Sequence, residues 1–425
     1  MTKEQAKRHV IVISLDAMIT TDLAVLKTLS RCKELFSRYS QVDEVLCTFP
    51  TLTYPCHATI MTGCVPAKHG IIHNEVFAPE AKTVAWNLEE RNIHVSTMPR
   101  IAHENGLRTA SISWPTMMGA PIDFLIPEIW PPKERQEQED AYQKNVSLSA
   151  QPFFQRHRHL LHTYAGRDLD AFSTACAVDI INTDFPDLMF LHLAALDCSR
   201  HNRGVATEKN LDALNFLDQQ IGEILDAVRS TGHRQDTDVV ILSDHGQLDC
   251  RRVFNINRVL KDSGYITVDD RGLIDSWRIY CHTGALSAFV YVQDIPLNEV
   301  KRVLSEIKTD FPGTIDRIFT QFELEKLYDC TGPFSFAVEA MEGTYLNGNV
   351  SATAAITEIT PGSFSDASHG QAPERGPKPP FVICSPRSTG IMIPQANLVD
   401  EAPTIMNLLG LEMPSCDGRI LPMCQ

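Results

Sequence analysis

Four runs of apolar residues, each of strand length, punctuate the chain: "HVIVISLD" (9–16), "LMFLHLAALD" (188–197), "DVVILSDH" (238–245) and "PPFVICSP" (379–386). All are rich in Val, Ile and Leu and show little polar alternation, the pattern of strands covered on both faces. Helical spacing lies between them. In "KNLDALNFLDQQIGEILDAVRSTG", Leu211, Leu214, Leu217, Ile221, Leu225 and Val228 recur on one face and Gly232 ends the pattern. "DEAPTIMNLLGL" is a second case, with Pro403 early and Gly410 late. Strand alternating with helix predicts an α/β fold built on a doubly wound, mostly parallel sheet. Residues 255–362 read differently. "ALSAFVYVQ", a helix from about Asn298, "DRIFTQ" and "FSFAVEA" predict a smaller inserted α+β cap, leaving 1–254 and 363–425 as the α/β core. The charged stretch 131–145 predicts an exposed helix or lid.

The residues that close the strands carry the chemistry. Three runs end in carboxylates: Asp16, Asp197 and Asp244, the last beside His245. A single Asp after a strand is ordinarily a turn or helix cap. In a doubly wound sheet, however, strand C-termini share one rim, where ligands bind, so three acidic termini predict one site. In "DCSRHNRG", Asp197 and His201 stand four apart, which puts both on one face if the chain turns helically there. Two Asp and two His form a mixed N/O donor set that suits zinc. His369, in the loop "SDASHGQAPERG", is a further candidate ligand; His57, His73 and His103 are read as structural or supporting.

The segment 48–74, "TFPTLTYPCHATIMTGCVPAKHGIIHN", turns helical after Pro55. A hydroxyl at a helix N-terminus gains from the dipole and from free N–H groups that hold an oxyanion. Thr48, Thr51, Thr53 and Thr59 are all candidates on these grounds, for nucleophile or for cap.

Composition narrows the field. Lys plus Arg number 38 against 53 Asp plus Glu, a net charge of −15. This argues against binding nucleic-acid polymers, which requires a basic surface. It leaves room for a small phosphorylated substrate, because bound cations invert the local field. No run reaches the ~18 apolar residues of a membrane span, and the first apolar run is short and contains Ser14. No membrane and a cytoplasmic location are therefore expected, with the scattered cysteines reduced.

Taken in order, the strand-end Asp16, "PTLTYPCHATIMTG", "HGIIHN", "DCSRH", "SDHG" and the late "SHG" resemble the alkaline phosphatase superfamily, in its nucleotide pyrophosphatase/phosphodiesterase branch. The closing segment "LVDEAPTIMNLLGLEMPSCDGRIL" is similar to that superfamily's usual end. The resemblance implies an alkaline phosphatase-like fold and two Zn2+ per chain, with Mn2+ as the alternative. It places one zinc on Asp16, Thr53, Asp244 and His245, and the other on Asp197, His201 and His369. It makes Thr53 the nucleophile of a phospho-threonine intermediate. Asn74 becomes the donor to a phosphoryl oxygen, and Tyr54 the aromatic against the nucleotide base. The implied enzyme is a metal-dependent hydrolase of phosphodiester or pyrophosphate bonds. A phosphonoacetate hydrolase-like C–P hydrolase and a phosphomonoesterase are the rivals on the same metals, and a homodimer is one option for the oligomeric state. Arg200, Gln247 and Gln371 depart from the family pattern without removing a ligand. Arg200 and Arg203 are the cations a monoesterase would need if they faced the substrate. Trp114, Met117 and Met118 read equally as a hydrophobic pocket wall or as core.

Overall fold

The computed structural model describes residues 8–132 and 134–424. Its centre is an eight-stranded sheet. In chain order the strands are β1 (His9–Leu15), β2 (Tyr39–Leu46), β3 (Thr109–Ile112), β4 (Phe124–Ile126), β5 (Leu188–Leu193), β6 (Thr237–Leu242), β7 (Phe381–Cys384) and β8 (Met392–Asn397). Their order across the sheet is β8-β2-β7-β6-β1-β5-β3-β4. All neighbours run parallel except β7, which is antiparallel to both β2 and β6.

The apolar runs form central strands because helices cover both faces. Ile11 and Ile13 of β1 enter one core with the helices Gly166–Thr183 and Leu211–Ser230. Val10 and Val12 enter the opposite core with the helices Thr53–Thr62 and Glu401–Leu408. On Leu211–Ser230 the predicted stripe from Leu214 to Val228 is buried, while Leu211 at its start is exposed. Trp114 and Met117 lie wholly inside the second core, so they are packing residues and not a pocket wall. The charged stretch contains the helix Arg135–Asn145, which lays Gln138 and Tyr142 inward; Tyr142 joins the first core.

Residues beyond β6 build a second body over the rim. A four-stranded antiparallel sheet runs Ile279–Gly284, Ser287–Val292, Phe336–Ala340, Ile315–Thr320. It shares a third core with the helix Leu297–Asp310, and Phe49 and Ala372 from outside that segment join it. The strand Leu248–Asn255 pairs with Gly343–Asn347 and Ile356–Glu358, and its start pairs with Ala367–Ser368. These pairings return the chain to the rim at His369. No helix among the described residues is long and apolar enough to cross a membrane.

Candidate active site and metal centre

The strand ends deliver their side chains to one place. Asp16 comes directly after β1, and Asp244 and His245 come after β6, the next strand in the sheet. A Cβ on Gly246 would lie 2.3 Å from the Pro377 carbonyl oxygen, so only glycine lets this turn pass.

Asp197 arrives by a different route from the one its apolar run predicts. β5 stops at Leu193 and the helix Ala195–Arg203 begins at once, leaving Asp197 in its first turn. The cause is Asp170, whose buried carboxylate accepts the Ala194 and Ala195 amide N–H groups at 2.8 and 2.9 Å. That helical turn brings Asp197 Oδ2 within 3.3 Å of His201 Nε2. His369 Nε2 is 3.9 Å from Asp197 Oδ1. Gln247, one of the departures from the family pattern, donates its side-chain N–H to Asp197 Oδ1.

Two of the three histidines are held with one nitrogen turned to the site. His201 Nδ1 lies 2.7 Å from the Ala367 carbonyl, and His369 Nδ1 lies 3.2 Å from that of Thr51. A carbonyl only accepts, so each Nδ1 carries the proton and each Nε2 offers a lone pair, the usual arrangement of a ligating histidine. His245 Nε2 lies 3.1 Å from Asp244 Oδ2 and 3.7 Å from Asp16 Oδ1.

Thr53 is the threonine that reaches this assembly. The helix Thr53–Thr62 starts at Thr53, earlier than the sequence pattern predicts, and Pro55 sits within its first turn. Thr53 Oγ1 lies 3.1 Å from His245 Nε2. Asn74 Oδ1 accepts the Tyr54 amide N–H at 2.9 Å, which orients the Asn74 amide so that its own N–H groups remain to donate. Thr51 instead ties down the His369 loop, donating to the Gln371 carbonyl and accepting from the Gly370 amide. Thr59 meets His69, away from the cluster.

A cavity of about 260 Å³ opens on these groups. Asp16, Thr53, Asn74, Asp197, His201 and His369 line its floor; Tyr54, Trp86, Trp130 and Glu128 line its side. Tyr54 is 1% exposed, its hydroxyl donates to Glu128 Oε2 at 2.5 Å, and its ring meets Trp86 edge-on. The more exposed aromatic surface belongs to Trp86 and Trp130, which sequence reasoning passed over. It also missed His192, inside β5, whose Nε2 lies 3.1 Å from Asp16 Oδ2, while His57, read from the sequence as structural or supporting, has its Nδ1 2.8 Å from the Thr53 carbonyl and 3.4 Å from Asp244 Oδ2. A histidine within an apolar strand was the available signal for His192. His103 lies on the remote helix Met98–Glu104.

The charges conflict as they stand. Burial, together with the Asp197 and Glu128 charges, pushes the Asp16 carboxyl well above the usual range. Burial and the Asp16 charge do the same to Asp244. Burial and neighbouring His369 drive His245 well below an ordinary imidazole, and burial takes His369 down to about 4. Burial also acts on Asp197 and His201, but their mutual attraction outweighs it, lowering the acid and raising the base. Asp16 Oδ1, Asp244 Oδ2 and His245 Nδ1 are buried without hydrogen-bond partners. Two groups, Asp16–Asp244–His245 and Asp197–His201–His369, each bring three ligand atoms within 4.8 Å of one another. Buried carboxylates beside neutral imidazoles, with orphaned oxygens, fit divalent cations.

Neither arginine reaches the cavity. Arg200 is fully buried against Asp22, and Arg203 pairs with Asp212 at the surface. The extra positive charge considered for them in a monoesterase is therefore not supplied.

Comparison with known proteins agrees with this geometry. Residues 10–326 match the family model of type I phosphodiesterase/nucleotide pyrophosphatase. Ectonucleotide pyrophosphatase/phosphodiesterase family member 1 of Rattus norvegicus is 24% identical over 228 residues, 52% of this chain and 22% of its own length. A bis(5'-adenosyl)-triphosphatase of Xenopus laevis is 24% identical over 254 residues, 56% of this chain and 47% of its own. The matched regions thus span less than half the length of these relatives. Human ectonucleotide pyrophosphatase/phosphodiesterase 5 shares the fold with a TM-score of 0.69 at 16% identity, covering 97% of each chain. The murine protein gives 0.67 at 18% over the same coverage, and an inactive Thr-to-Ala form of it has been solved in complex with AMP. With three quarters of its length inside the family model, the chain belongs to the type I phosphodiesterase/nucleotide pyrophosphatase family.

Proposed function

We propose that the chain hydrolyses phosphodiester or pyrophosphate bonds in small nucleotide-type substrates, with Thr53 as nucleophile. The observation that carries this reading is the position of Thr53 Oγ1. It stands at the first residue of a helix, 3.1 Å from His245 and facing the cavity that Asp197, His201 and His369 also line.

Two cations, zinc by the donor chemistry, would be held by Asp16, Thr53, Asp244 and His245, and by Asp197, His201 and His369. When bound, they would lower the pKa of the attacking hydroxyl and offset charge on the leaving oxygen. The chain's own residues supply the rest. Thr53 Oγ1 bonds to phosphorus as the bond to the leaving oxygen breaks, and the hydroxyl proton passes to solvent. Water then bonds to phosphorus, the Thr53–phosphorus link breaks, and the hydroxyl is restored with release of a monophosphate. Asn74 and the Thr53 amide donate to the non-bridging oxygen as its charge grows. Trp86 and Trp130, set edge to face, offer apolar ring surface for a base. That the murine relative was solved with AMP favours a nucleotide over other esters.

Charge separates the rivals. A monoester brings a second negative charge and phosphonoacetate brings a carboxylate. Among the described residues no Lys or Arg lines the cavity. Side-by-side assay of p-nitrophenyl-TMP, bis-p-nitrophenyl phosphate, p-nitrophenyl phosphate and phosphonoacetate tests the assignment, with the diesters expected to turn over fastest. Thr53→Ala is expected to lose at least ~10³ in kcat, as removal of a covalent nucleophile does. Full diesterase activity in that variant would overturn the nucleophile; phosphonoacetate as the best substrate would overturn the reaction class.

A further inference from the structure

The geometry points to a third cation site, formed by His73, Glu75 and His282, that pins the capping sheet to the Asn74 loop and takes a first-row divalent transition cation such as Zn2+. These three residues bring one ligand atom each within 4.8 Å of one another, as the two groups at the strand ends do. They come from two bodies. His73 and Glu75 flank Asn74, and His282 belongs to the strand Ile279–Gly284.

Burial makes the cluster more than a chance meeting of polar groups. His73 is 5% and His282 7% exposed, and their rings stack at 3.7 Å. His282 Nδ1 and His73 Nε2 have no well-aligned hydrogen-bond partner. Buried polar atoms left in that state cost about 1–3 kcal/mol each, so the protein's own groups leave both rings incompletely satisfied. His282 Nε2 already lies 3.4 Å from Glu75 Oε2, whose side chain is 32% exposed and leaves a way in from solvent.

The ring chemistry is consistent with ligation. His73 Nδ1 now accepts the Glu75 amide N–H at 3.0 Å, so its lone pair faces Glu75 and the neutral ring carries its proton on Nε2. A cation taking that lone pair replaces the amide contact, and the Nε2–H stays beside the Thr283 backbone. Two imidazoles and one carboxylate favour zinc and its neighbours over magnesium or calcium, which prefer all-oxygen shells.

The location gives the site a consequence. A Cβ on Gly370 would lie 2.1 Å from the Gly284 carbonyl oxygen, so the end of the His282 strand is pressed against the loop that carries His369. A cation on His282 therefore fixes the cap strand against the loops of Asn74 and His369 together.

Elemental analysis tests this on the full chain. The protein is stripped with chelator, dialysed against zinc chloride and freed of loose metal, with circular dichroism recording the fold. The wild type is expected to keep about one zinc more per chain than His282→Ala, and zinc is expected to raise the melting temperature of the wild type more than that of the variant. If His282→Ala does not fold, Glu75→Ala, at a partly exposed position, carries the same comparison. Equal zinc content in wild type and variant would overturn the site and leave a plain His282–Glu75 ion pair. The result reads the difference in content, so it stands apart from whether the strand-end groups hold their own cations.

Discussion

Arg200 and Asp22 meet at 2.6 Å with both side chains fully buried. Arg200 also donates to the Ala17 carbonyl, and Asp22 accepts from the Ile19 amide and the Thr207 hydroxyl. The pair thus ties the helix bearing Asp197 and His201 to the segment just after Asp16. Removing one partner strands the other charge. Arg200→Met is expected to cost about 3–5 kcal/mol in urea unfolding, and Arg200→Met with Asp22→Leu to recover much of it. A single substitution with no loss of stability would refute the pairing.

Asn74 offers a cleaner probe of chemistry. Its carbonyl is engaged by the Tyr54 amide, which leaves its amino group for the substrate. Asn74→Ala is expected to lower kcat by about 10²–10³ with a smaller change in KM. A change confined to KM would make Asn74 a binding residue.

Metal removal is expected to act on stability as well as on rate. Buried Asp16 and Asp244 repel each other without a counter-cation. Dialysis against a chelator should abolish diesterase activity and lower the melting temperature, and added zinc should restore both. Undiminished activity after exhaustive chelation would exclude a metal-dependent reaction.

Glu401 carries a pH signature. Both carboxyl oxygens are buried without partners, and burial holds its pKa well above the ordinary value. The folded chain therefore keeps a proton that the unfolded chain gives up. Stability contributed here is present at low pH and is lost as pH climbs from the unfolded value near 4.5 toward the raised folded one. Glu401→Gln should flatten that decline and gain about 1 kcal/mol or more at pH 7 to 8. A pH profile of melting temperature that is identical in the two proteins would disprove it.

The sheet was legible because burial on both faces writes an unbroken apolar run, as in 9–15 and 237–242. Strand direction leaves no such mark, so the antiparallel course of β7 could not be read. Asp16 and Asp244 stood out as charges closing apolar runs. Arg200 misled, because a charged residue signals a surface until its partner, 178 positions away, is known. Asp197 was found, but its helix was only conditional, since the group that starts that helix, Asp170, is remote in sequence. Thr53 among four threonines needed either a family resemblance or the observed start of its helix. Trp86 and Trp130 sit in loops without a period to reveal them.

The reversed direction of β7 has one more effect. Because Phe381 pairs with Leu242, the chain re-enters the sheet at the same edge from which β6 left it. Everything between His245 and His369 is thus hung from two neighbouring points, like a tool in a single socket. Lengthening, trimming or exchanging that segment would leave the strands beneath in their places and spare the cavity's own lining, none of which lies between those two histidines.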